Sequence, residues 1–173
     1  MNKKLVILSA VALSASLALG AFAHSGATGI VKERMDGMMA MGKAMKSLVL
    51  IVKGAKDYDA AVIENAAKTI QNHSGENLVK LFPKDAKKQS ASVAKDEIWK
   101  NWAEFQALSQ HLQMLSVGLE ATAGNGIGGV EAANTTEAST LTAEMLTEMS
   151  VDQIFPMIAG SCSSCHSKFR AEK

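Results

Sequence analysis

Both cysteines of the chain stand in one short stretch, "GSCSSCHSKFR" from Gly160 to Arg170, and a histidine directly follows the second. Cys162, Cys165 and His166 therefore spell Cys-x-x-Cys-His, the attachment pattern of a c-type haem. The spacing has a physical logic on a helix, where residues three and four apart share a face. Cys162 and Cys165 can each reach one vinyl group of a porphyrin while His166 reaches the iron from the same side. Two thioethers then hold the cofactor, and His166 becomes the proximal axial ligand. The expected cofactor is one covalent haem c.

Other chemistry open to these residues fits less well. A zinc site needs further soft ligands, but the remaining histidines, His24, His73 and His111, are scattered and there is no third cysteine. A thioredoxin-like redox pair would follow a strand in a βαβ unit, and no such pattern surrounds Cys162. A plain disulfide in an exported helical binding module stays open as a reading. So does copper handling, since thioethers suit copper(I): the chain has ten methionines and a predicted mature N-terminus at His24. Met35, Met39, Met41 and Met45 read as soft packing in a core or at a dimer seam, and His73 and His111 as helix-surface residues. Nothing resembles a paired-carboxylate, Ser/His or phosphate-loop catalytic site. The run "GNGIGG" lacks the strand-turn-helix setting of a dinucleotide fingerprint.

These residues must be delivered and positioned. The start "MNKK", the apolar run Leu5 to Leu19 and the small residues Ala21 and Ala23 read as an export leader over residues 1–23, cleaved after Ala23. The expected mature unit is one soluble exported domain, residues 24–173, with no membrane span. Without Lys3 and Lys4 the 18 basic residues become 16, against 17 acidic. So balanced a charge leaves no nucleic-acid footprint.

Strand alternation is absent and helical spacing prevails. A first helix over about 28–52 places Arg34, Met38, Met41, Met45, Leu48 and Val52 on one stripe, with Gly54 as its stop and Asp57 or Asp59 capping the next. A second runs over about 59–81, with Ile63, Ala67, Ile70 and Leu81 inward and a possible interruption at "HSGEN". A third carries Ile98, Trp102, Phe105, Leu108, Leu112, Leu115 and Leu119. Residues 140–149 offer one short extra helix. The last helix opens on the capping-box pair Ser150 and Gln153 and lines up Ile154, Ile158, Cys162, Cys165 and Phe169, with Pro156 in its first turns or at a kink. The fold class is all-α, an antiparallel four-helix bundle with haem near the C-terminal helix.

Beyond periodicity, several stretches resemble a known family. The terminal Cys-x-x-Cys-His with "SKFR", the stretch "VKERMDGM", the turn "VKGAKDYDAAVIENA" and the segment "LFPKDAKKQSASVAKDEIWKNWAEF" are similar to cytochrome c′ and its low-spin relatives, four-helix-bundle cytochromes of the bacterial periplasm. The resemblance thins over residues 124–149, an insertion longer than the family usually has. It implies Cys162 and Cys165 as anchors and His166 as proximal ligand. It also implies Arg34 beside a haem propionate, Met35 against the macrocycle, Arg170 on the proximal side, and Phe82, Lys95 and Asp96 along the haem edge. Met38 takes the position facing the iron from the distal side. A ligating methionine there implies one-electron transfer with an unidentified redox partner. An open distal site implies binding of nitric oxide or carbon monoxide. A homodimer packed through the first helix is a further implication.

Overall fold

The computed structural model describes residues 26–83, 91–128 and 141–172. The leader expected at 1–23, its cleavage point and His24 lie outside the described residues, as does the middle of the insertion. Four long helices carry the architecture: α1 (Gly29–Val52), α2 (Ala60–Asn72), α5 (Trp102–Ala121) and α7 (Val151–Phe169). Each packs on its neighbour in a closed circuit, α1 on α2, α2 on α5, α5 on α7 and α7 on α1. This is the antiparallel four-helix bundle that the periodicity predicts. Short helices α3 (Glu76–Val79), α4 (Glu97–Lys100) and α6 (Ala143–Thr147) join or flank the long ones.

Local chemistry explains most element ends. After α1, Gly54 takes a left-handed φ of 67°. Its N–H donates to Ile51 O at 2.9 Å and the Ala55 N–H to Leu50 O at 2.8 Å, which satisfies two carbonyls the helix end leaves free. The Asp59 carboxylate then caps α2, accepting from the N–H groups of Ala61 and Val62 at 2.9 and 3.3 Å. At α7 the Ser150 N–H donates to Gln153 Oε1 at 2.9 Å, and the helix continues through Pro156 without ending.

Four expectations shift in detail. The second helix stops at Asn72 and resumes as α3, so Leu81 leaves its face and joins a separate cluster. The third is divided at Asn101, with Ile98 on α4. On α1 the buried line runs through Val31, Arg34, Gly37, Met41, Ala44, Leu48 and Ile51, so Met38, Met45 and Val52 sit at its margin, half-buried. His73 is half-buried rather than superficial, its ring facing Gly37, and the Nε2 of His111 is enclosed.

The apolar interior has two parts. The larger fills the bundle, with Leu48, Ile63, Ile70, Leu115, Leu119, Ile154 and Ile158 fully buried. The smaller groups Leu78, Val79, Leu81, Phe82, Ile98, Phe105 and Phe169 where α3, α4 and the ends of α5 and α7 meet, with both tryptophans at its edge. Phe82, Trp99, Trp102, Phe105 and Phe169 thus gather at one place, while Phe155 packs on the larger core. The Phe82 and Phe105 rings meet edge to face at 5.0 Å, as do Phe105 and Phe169 at 5.6 Å.

Candidate functional site

A cleft of about 320 Å³ opens beside the aromatic cluster, with α1 on one side and the last turns of α7 on the other. From α1 it receives Val31, Arg34, Met35, Met38 and Met39, from α7 Cys165, His166 and Phe169, and from the residue just after α7 Arg170. Phe82, Ile98 and Phe105 form its floor, and the segment 91–94 closes another wall. Residues 4, 5 and 8 apart on α1 lie within one face of a helix, as do residues 3 to 5 apart on α7. The two helices therefore aim their chemistry into one space.

Of the residues singled out from the sequence, Arg34, Met35, Met38, Phe82, Cys165, His166 and Arg170 line this cleft together. Cys162, one turn earlier on α7, is half-buried and packs against the larger core instead of the cleft lining. Lys95 and Asp96 also stand outside the lining. Lys95 turns to the end of α7, where its Nζ donates to Ser167 O at 3.2 Å, and Asp96 is exposed at the start of α4. The sequence reading missed Val31, Phe105, Phe169 and the 91–94 wall as site residues. Phe105 and Phe169 sat on stripes already read as bundle core, and "SASVAK" carries no periodic signal.

The electrostatics of the cleft favour an anionic guest. Arg34 is only 7% exposed, which for a cation is unusual without a partner. None of the ion pairs among the described residues includes it, and its Nε is buried with no hydrogen-bond acceptor. Its guanidinium carbon instead stands 4.3 Å from the centroid of the Phe82 ring. Desolvation lowers its pKa. A carboxylate entering the cleft would supply the missing acceptor.

The sulfur and nitrogen donors are tuned by the same surroundings. Burial, and after it the proximity of Cys162, pushes the Cys165 thiol up to about 11. Burial also raises Cys162. Partial desolvation, with the charge of Arg170 adding to it, holds the His166 imidazole below its usual value although part of the ring is exposed. That favours the neutral ring a metal ligand must be. Protonated thiols, a neutral imidazole, an unpaired buried arginine and apolar walls fit a c-type haem with its propionates.

Comparison with known proteins points the same way. The family model described as cytochrome c′ matches residues 29–170. A cytochrome c-556 of Agrobacterium fabrum is 27% identical over the full length of both chains. A cytochrome c′ of Rhodopseudomonas palustris is 26% identical over 84% of each. The solved structure of cytochrome c′ from Rhodopseudomonas palustris superimposes with a TM-score of 0.64 at 25% identity, covering 85% of this chain and 99% of that one.

Proposed function

Since the chain belongs to the cytochrome c′ family, whose members bind a covalent c-type haem, we propose that it is a periplasmic one-electron carrier in which His166 and Met38 would hold the haem iron. The observation that carries this reading is that Met38 of α1 and His166 of α7 line the same cleft from different helices. Bound haem c supplies a one-electron ferric/ferrous couple. Cys162 and Cys165, one turn apart on α7, would be the covalent anchors.

The chain's own residues set what that couple does. A thioether from Met38 would favour the reduced state and would compete with an exogenous ligand. Arg34 neutralises carboxylate charge at a site screened from water by Phe82 and Phe105. The apolar floor keeps solvent rearrangement small. Electrons leave to a redox partner rather than to a bound substrate, so the role is a carrier's, and pairing of two copies through α1 would cover the 43% exposed Met39.

The test is spectroscopic. Ferric protein should be low-spin with the weak far-red band of thioether-ligated iron, and Met38→Ala should abolish that band and admit carbon monoxide to the ferrous form. Native protein that is already high-spin and binds carbon monoxide or nitric oxide readily would replace this reading with a gas-binding one.

A further inference from the structure

The proximal ligand proposed above stands in an exposed position for so exacting a task. His166 lies in the final turn of α7, which ends at Phe169. The last four carbonyls of a helix have no intrahelical donors, and terminal turns open most readily. Here that turn is fastened from outside. Ala94 and Arg170 form an antiparallel bridge, in which the Lys95 N–H donates to Phe169 O at 2.9 Å and the Ala171 N–H to Val93 O at 2.8 Å. The Lys95 ammonium adds a third bond, to Ser167 O at 3.2 Å, and places a cation where the helix dipole is negative. The Arg170 N–H returns to His166 O at 3.1 Å. One residue, Lys95, thus supplies donors to two of the carbonyls that follow His166. The segment it belongs to is the same one whose residues 91–94 wall the cleft.

We infer that Lys95 is a positioning residue: the clasp between Val93–Lys95 and Ser167–Ala171 holds the His166 turn in place and thereby fixes the imidazole relative to the cleft. This rests on His166 being the proximal ligand. Two substitutions probe it in the full-length holoprotein. Ala171→Pro removes the N–H that bonds to Val93, and Arg170 already has φ −113° and ψ 131°, the extended shape a residue before proline prefers. Lys95→Met removes the ammonium but keeps the backbone donor.

Both variants should speed amide exchange in residues 166–170 about tenfold, the factor that one lost hydrogen bond represents, with α1 and α2 unchanged. Both, placed in the Met38→Ala background whose ferrous iron is left without the thioether, should also broaden and shift the ferrous iron–imidazole stretching band. Faster exchange with an unmoved band would make the clasp purely structural and overturn the inference, as would no change in either. Met38→Ala protein with no iron–imidazole band would instead refute His166 as ligand, and the exchange data would still report on the clasp.

Discussion

The Arg34 guanidinium lies over the Phe82 ring, 4.3 Å from its centroid, in a cleft wall that gives it no acidic partner among the described residues. A cation held by an aromatic face retains most of its charge for a guest. Positive charge near the iron favours the ferrous form, which carries one positive charge fewer. Arg34→Gln should therefore lower the midpoint potential by an amount on the order of 1 kcal/mol, about 40 mV for one electron, while Arg34→Lys keeps most of it. A redox titration of the three proteins decides the point.

If Phe82 steadies Arg34, the two side chains should be energetically coupled. Phe82→Leu keeps an apolar group of similar size in a site only 6% exposed but removes the π face. A double-mutant cycle with Arg34→Gln, read by denaturant unfolding of holoprotein, should return a coupling of about 0.5–2 kcal/mol. A cycle that closes to zero would reduce the contact to mere adjacency.

At the other end of the bundle, Gly118 admits α6. A Cβ there would stand 2.6 Å from the Leu146 Cβ and 2.7 Å from its Cδ1. Leu146 is fully buried, and its Cβ cannot rotate away. Gly118→Ala gains about 1 kcal/mol of helix propensity yet must push α6 off α5, an overpacking cost of about 1–3 kcal/mol or more. The expected outcome is a lower melting temperature with an unchanged haem spectrum, since α6 lies outside the cleft lining.

The parts of this fold that could be read in the sequence are those set by neighbours along the chain. Gly54 and Asp59 declare the α1–α2 turn, and Ser150 with Gln153 the start of α7, because each device closes within four residues. The break after Asn72 was harder to read. Gly75, at φ 58°, is fixed by α5: its N–H donates to Ser109 O and its O accepts from Ser109 Oγ, both at 3.0 Å. A serine 34 positions away is invisible to periodicity. The same holds at the site. His166 and Cys165 are announced by a motif, whereas the role of Lys95 depends on carbonyls 72 and 74 residues downstream. The half-burial of Cys165, on a stripe that reads as core, reflects the cleft itself. Where a helix borders a cavity, an apolar position faces open space instead of a partner helix.

That half-burial has a chemical consequence before the cofactor is attached. The raised pKa of Cys165, about 11, means that its thiolate is scarce at neutral pH, because desolvation penalises the charged sulfur and Cys162 adds to the effect. The thiolate is the nucleophile in alkylation. In full-length apoprotein, iodoacetamide labelling of Cys165 should therefore be slow at pH 7 and keep rising about tenfold per pH unit past the ordinary thiol range of about 8.5, levelling only near 11. In urea the same rate should level near 8.5. Peptide mass analysis of labelling against pH separates the two profiles, and coincident curves would mean that α7 buries its thiols only after the haem is in place.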